Sequence, residues 1–182
     1  SPTAALKGGV AFVPEDRRRQ GMVGGQSVQA NLLLTMWDRL AAHFLINESR
    51  ATEMSEGLIE RLDVKTSGQR QLIEFLSGGN QQKVVVGRSL ARGPNGLLLD
   101  DPTAGIDIGS RRDLLGHVRR FADEGGAVMV VSSELEDLGR IADRVVVLAH
   151  GAVSQVLDRA EGDVLSEANL LAAIHQETEA VA

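Results

Sequence analysis

Short, fully apolar runs alternate along this chain with longer stretches in which apolar residues recur every three or four positions. Val10–Val13, Leu97–Leu99 and Ala127–Val131 are uninterrupted apolar runs, closed by Pro14, by Asp100-Asp101-Pro102 and by Ser132-Ser133. Runs of that length bounded by turn-forming residues predict buried strands. Leu32, Leu33, Met36 and Leu40 follow Ser27, which can cap a helix, and Met54, Leu58, Ile59 and Leu62 share one face of a second helix beginning near Ser49. A third helix is expected after Ser77-Gly78-Gly79, carrying Val84, Val85, Val86, Leu90 and Ala91 and stopped by Gly93-Pro94. Further on, the pattern predicts helices over Ser110–Asp123 and Glu134–Ile141. It then predicts a hairpin of Val145–Leu148 and Val153–Val156 joined through His150-Gly151, and a terminal helix over Val164–Gln176. Strands apolar on both sides, alternating with helices, indicate an α/β fold with a mostly parallel sheet covered on both faces. Residues 27–90 are nearly free of strand signals, so a helical subdomain inserted into that sheet is expected.

Composition narrows the class. The 182 residues are 43% apolar and 24% charged, with a formal net charge of −6, which suits one compact domain and excludes a disordered chain. An acidic chain with four Phe, one Trp and no Tyr lacks both the positive field and the stacking aromatics of a free-standing nucleic-acid binder, so no nucleic-acid partner is expected. The absence of cysteine excludes disulfides and thiolate metal sites. No apolar run approaches the ~20 residues that span a bilayer, and no export signal opens the chain; a soluble, intracellular protein is expected. His43, His117, His150 and His175 are isolated and give no metal-ligand spacing, while Arg111, Arg112, Arg119 and Arg120 read as a solvated helix face.

Two stretches carry candidate chemistry. In Leu76-Ser77-Gly78-Gly79-Asn80-Gln81-Gln82-Lys83, a serine and two glycines open a helix. The first N–H groups of a helix lack intrahelical partners, and glycines leave them unshielded, which is how backbone cradles phosphate oxygens. The same three residues also read as a plain N-cap after a tight turn. In Leu97-Leu98-Leu99-Asp100-Asp101-Pro102-Thr103-Ala104-Gly105-Ile106-Asp107, an apolar strand delivers paired carboxylates to the carboxyl edge of the sheet, where open α/β folds bind ligands. There Asp100 can hold Mg²⁺ and Asp101 can face an attacking water; a buried strand ending in a polar turn is the plainer reading.

The order and spacing of these stretches resemble those of ABC ATPase cassettes. L-S-G-G-N-Q-Q-K is similar to the family's signature motif, L-L-L-D-D-P-T to its Walker B strand and A-G-I-D, with Asp107, to its D-loop. V-A-F-V-P-E resembles the strand and Q-loop, with Glu15 where many members carry Gln, and V-V-S-S-E the switch strand, with Ser133 where a histidine is usual. The spellings P-E-D-R-R-R-Q-G-M-V, S-G-G-N-Q-Q-K and V-S-S-E-L are similar to the second cassette of the double-cassette ATPases that energise bacterial import of ribose, galactose and xylose; nucleoside importers share part of this text.

The resemblance implies a partial, P-loop NTPase-like nucleotide-binding domain. Its expected parts are a Q-loop strand and loop (1–24), a helical signature subdomain (25–90), a Walker B, D-loop and switch core (91–160) and a C-terminal helix (161–182). It implies ATP and Mg²⁺ as cofactors, Ser77, Gly78, Gly79, Asn80 and Gln81 on ATP, Asp100 on the metal, and Asp101 and Ser133 at catalytic positions. The implied partners are a second cassette bound head to tail, transmembrane permease subunits and, indirectly, a periplasmic sugar-binding protein, at the cytoplasmic side of the inner membrane. Arg17, Arg18 and Arg19 fall in the loop bordering the permease and the nucleotide. No G-x-x-x-x-G-K-[ST] occurs, so a cassette lacking its Walker A half is expected. With Glu15, Asp101 and Ser133 all departing from the common pattern, its own Walker site is expected to be impaired. A non-transport ABC protein and a regulatory domain without ATPase activity are the rival readings, the first disfavoured by the acidic charge.

Overall fold

The computed structural model of the chain describes residues 1–42 and 45–179; His43 therefore lies outside the described residues. Packing divides the chain into two compact units, Ser1–Val131 and Ser132–Ala182. The division falls inside the stretch 91–160 that the sequence reads as one core segment.

The first unit begins with a short helix α1 (Pro2–Lys7), absent from the sequence expectation, and is built on strands β1 (Val10–Val13), β4 (Gly96–Asp100) and β5 (Ala127–Val131). They form a parallel sheet in the order β1-β4-β5, with Phe12 opposite Leu98 and Leu98 opposite Met129. The helical stretch thus leaves the sheet after β1 and re-enters it at the adjacent strand β4. Its elements are α2 (Val28–Leu32), α3 (Trp37–Leu40), a two-residue pair β2 (Ala41–Ala42) and β3 (Leu45–Ile46), α4 (Glu48–Arg61) and α5 (Gly78–Leu90). The helix expected to run on from Ser27 breaks after Leu32, where Leu33 leaves helical geometry (φ −95°, ψ 6°). Apolar periodicity continues through the break because Leu32, Leu33, Met36 and Leu40 all enter one core with Ala51, Leu62, Ile73, Leu76 and Val84. Asn31 pins the preceding loop: its Oδ1 accepts from the Val23 N–H at 2.8 Å and its Nδ2 donates to the Val23 carbonyl at 3.0 Å.

Helix α6 (Ile108–Asp123) follows β4. One face of the sheet, with Ala11, Val13, Leu97 and Leu99, is buried. Within the first unit, α5 packs on β1, α6 on β5, and the two helices on each other. The other face is bare: Phe12, Leu98 and Met129, in register across three strands, are 53%, 39% and 61% exposed.

The second unit contains α7 (Leu135–Ile141), β6 (Arg144–Ala149), β7 (Ala152–Asp158) and α8 (Glu167–Glu179). The antiparallel hairpin turns at His150 and Gly151, both at positive φ (50° and 78°), as a two-residue connection requires. Val147 and Leu157 from the hairpin join Leu165, Leu170 and Ala173 in a separate core, the physical reason the break falls at Ser132. No described helix is long and apolar enough to cross a membrane.

A row of three exposed apolar side chains on an open sheet favours self-association. The isolated chain is expected to run larger than a monomer in light scattering, and Phe12→Thr with Met129→Thr to reduce that size. An unaltered, cooperative monomer before substitution contradicts this.

Candidate functional site

Helix α5 brings the signature-like residues together, and it is almost wholly buried from Gly79 onward. Ser77 stands at its N-cap in an extended conformation (φ −60°, ψ 156°), but its hydroxyl does not cap the helix. Instead Ser77 Oγ accepts from Asn80 Nδ2 at 2.8 Å, while Asn80 Oδ1 accepts from the Lys65 N–H at 2.7 Å. The first turn is therefore without a side-chain cap, and Ser77 is exposed. An uncapped, glycine-led helix start is the arrangement that favours an anion.

The two glycines have a steric reason beyond open access. A Cβ at Gly78 would lie 2.8 Å from Arg17 Nη2 and 3.3 Å from the Gly105 carbonyl oxygen, and one at Gly79 would collide with the Ser110 side chain. Asn80 and Gln81, expected to face ATP, turn inward: both are buried, and Gln81 Nε2 donates to the carbonyls of Ile73, Glu74 and Leu76 at 3.2–3.4 Å. The Asn80 side chain holds Ser77 and the Lys65 backbone, and that of Gln81 holds the loop that leads into the helix. Lys83 is also buried; its Nζ donates to the Asp63 carbonyl at 3.0 Å and pairs with Asp113 at 3.1 Å, tying the end of α4 and helix α6 to α5. The spacing alone gave no sign of this, since a lysine in a polar run reads as solvated.

The end of β4 presents Asp100, half-buried and in register with Val131, and then Asp101. Asp101 adopts φ +39°, in the left-handed region that Asp tolerates better than most residues. Its N–H donates to the Val131 carbonyl at 2.8 Å and its own carbonyl accepts from the Ala104 N–H at 3.1 Å, closing a tight turn. Asp107 caps α6 by accepting from the Ser110 N–H at 3.0 Å and the Ser110 hydroxyl at 2.8 Å. Those two donors, the backbone one first, hold the Asp107 carboxyl below the usual carboxylate range. Ser110, missed in the sequence, thus joins the D-loop-like cap to Gly79. A signal for it was present in the Asp-x-x-Ser spacing of a helix start.

Glu15 is exposed in the loop after Pro14, and its carbonyl accepts from the Arg17 N–H at 3.0 Å. The chain then makes a π-helical turn, Arg17–Gly21, whose start is fixed by Asp16 Oδ1 accepting from the Arg18 and Arg19 N–H groups, each at 3.1 Å. Glu15, Asp16, Arg17 and Arg18 line an open cleft with Ala104 and Gly105. Arg18 and Arg19 are exposed, whereas Arg17 is partly buried, and its guanidinium pKa is depressed by that burial and by Arg18 alongside. The first unit therefore gathers the turn after β1, the start of α5 and the loop from β4 to α6. Ser133, exposed, belongs to the second unit. For a metal, Asp100 offers a half-buried carboxylate at the strand end. Among the described residues no group of three His, Asp or Glu forms a self-sufficient site.

The fold and this gathering of loops at the edge of a parallel sheet define an ATP-binding-cassette type of nucleotide-binding domain. The pattern of the ABC transporter family matches residues 3–104, and the chain belongs to that family. It is 41% identical over 161 residues to a ribose import ATP-binding protein of Rubrobacter xylanophilus, covering 88% of this chain and 31% of the relative. An arabinose import ATP-binding protein of Rhizobium meliloti and a xylose import ATP-binding protein of Thermoanaerobacter pseudethanolicus are each 37% identical, covering 90% of this chain and 32% of theirs. The chain spans about a third of the length of these curated relatives. Among solved structures, the ATP-binding cassette MJ0796 in a dimeric post-hydrolysis state bound to ADP and Pi superposes with a TM-score of 0.71 at 19% identity, over 86% of this chain and 66% of that one; this likeness shows the fold.

Three substitutions test the packing. Gly79→Ala is expected to destabilise the fold by about 1–3 kcal/mol through overpacking against Ser110, with or without nucleotide, and Ser110→Gly to restore part of that loss in thermal melts. Lys83→Met removes a buried cation whose carboxylate partners stay hydrated. It is expected to cost about 1–3 kcal/mol, read as a fall of several degrees in the melting midpoint.

Proposed function

We propose that this chain is part of the ATP-binding subunit of an ABC importer of monosaccharides, contributing the signature motif to a composite ATP site. The observation that carries the reading is the uncapped start of α5, where Ser77, Gly78 and Gly79 stand beside the Asp107–Ser110 cap. Support for the substrate class comes from relatives named for the import of ribose, arabinose and xylose. In this reading a second cassette, paired head to tail, brings the nucleotide to Ser77 and to the backbone of Gly78 and Gly79. Asn80 orients the Ser77 hydroxyl and Gln81 anchors the entering loop. Permease subunits meet the turn bearing Glu15 and Arg17–Arg19 at the cytoplasmic side of the inner membrane, and a periplasmic sugar-binding protein delivers the sugar to them.

Asp100 would hold Mg²⁺, whose positive charge would favour charge building up on the transferred phosphoryl oxygens. This cassette's own Walker site is read as the weaker of the two. Asp101 is one methylene shorter than a glutamate, so its carboxylate falls short of the ~3 Å approach a base needs to water, and Ser133 has no imidazole to take a proton.

The test is transport by the complete importer in vesicles, normalised for assembly. Ser77→Ala is expected to lower transport at least about fivefold through the lost hydrogen bond. Asp101→Asn, which keeps a residue tolerant of the left-handed turn, and Ser133→Ala are expected to cost less. Asp101→Asn abolishing turnover as fully as Ser77→Ala would make this Walker site the catalytic one. Transport of nucleosides instead of sugars would correct the substrate class.

A further inference from the structure

We propose that Arg17 is a positioning residue for the nucleotide site, locking the turn after β1 to both loops that face the nucleotide, so that the position of that turn sets the position of the α5 amides. The inference rests on the function proposed above.

Three segments distant in sequence meet on one guanidinium. Arg17 Nη1 donates to the Ala104 carbonyl at 2.9 Å and Nη2 to the Gly105 carbonyl at 3.3 Å. The same Nη2 faces Gly78 so closely that a methyl group there would stand only 2.8 Å away. The Ala104 end is itself held to the Walker B-like turn, since the Ala104 N–H donates to the Asp101 carbonyl. Gly105, at φ +64°, bends the backbone so that its carbonyl also lies against Gly78. Arg17 in turn is the first residue of the π-helical turn, whose backbone is fixed by Asp16 and Glu15. A displacement of the Glu15–Gly21 turn therefore cannot occur without moving the guanidinium. Moving the guanidinium breaks its bonds to the 104–105 carbonyls and changes its packing beside Gly78.

The chemistry favours arginine for this task. A planar fork reaches two carbonyls in different directions while lying flat against a glycine, whereas an ammonium satisfies one of them as a point charge. The arrangement also leaves one donor without a partner. Arg17 Nε is shielded from solvent with no hydrogen-bond partner among the described residues, and a buried unsatisfied donor is a cost that calls for a compensating role. The neighbours Arg18 and Arg19 make no such contact and are exposed, so the role belongs to one arginine of the three. The glycine at 78 is the complementary half of the device: it is the space into which the guanidinium fits.

The test uses the complete ATP-binding subunit assembled in its transporter, with Arg17→Ala, Arg17→Lys, Gly78→Ala and the Arg17→Ala/Gly78→Ala double variant. Amide hydrogen exchange is read over 78–81 and 104–110, and ATPase rates are measured against ATP concentration. Arg17→Ala is expected to speed exchange in both segments and to raise the half-saturating ATP concentration about tenfold, with a smaller change in maximal rate. Arg17→Lys is expected to fall between it and the wild type. Gly78→Ala is expected to be defective alone and to cost less in the Arg17→Ala background, where only the Gly105 carbonyl remains close to the new methyl group. Unchanged exchange in Arg17→Ala overturns the tie. Faster exchange with an unchanged half-saturating ATP concentration, or strictly additive losses in the double variant, overturns the positioning role. A wild-type transporter without ATP-dependent turnover would instead overturn the proposed function, and with it Arg17's bearing on nucleotide, while the exchange data still judge the tie.

Discussion

Much at the site depends on one constraint: four consecutive polar side chains at the start of α5 are buried, and buried polar groups are costly without partners, although Gln81 Oε1 and Gln82 Oε1 find none among the described residues. Asn80 and Lys83 meet this demand with backbone and side-chain partners on the 63–65 segment, on Ser77 and on α6, and Gln81 with carbonyls of the 73–76 loop. Each bond goes to a different neighbour, so the helix is fixed in rotation and in translation at once. A helix that begins with two glycines would otherwise fray at its first turn, where backbone entropy is greatest. Here that turn stays ordered without a side-chain cap, which leaves its amides available to an anion.

Close approach follows from that fixed position. Gly79 admits Ser110, and through Ser110 the Asp107 cap of α6; Gly78 admits Arg17, and through Arg17 the turn after β1. The two glycines thus serve as contact points between elements as well as bare backbone. Any side chain at either position acts on the protein even before a nucleotide is present. The same economy shows at Asp101, where a left-handed backbone and two hydrogen bonds bring the chain sharply from the strand end into the 103–105 loop.

The sheet shows what this chain brings and what it leaves open. Its strands are apolar on both sides, yet α5 and α6 cover only the face bearing Ala11, Val13, Leu97 and Leu99. Phe12, Leu98 and Met129 remain as an in-register apolar row on the other.

By itself the sequence determined the strands, the main helices, the α/β class and the family resemblance, because apolar runs, helical periodicity and motif spelling are local signals. It also located Ser77, Gly78, Gly79, Asp100, Asp101 and Asp107 at the starts and ends of elements, since caps and strand ends follow from a few neighbouring residues. What only the tertiary structure decided was direction and partner. Asn80 and Gln81 turn inward, Lys83 is buried as a tie, Ser77 does not cap, and Arg17 alone among three identical neighbours enters the site. Periodicity fixes which face of a helix is apolar but not which polar side chain finds a distant carbonyl. That choice is made by segments remote in sequence arriving at one place, where a buried polar group gains by finding a partner.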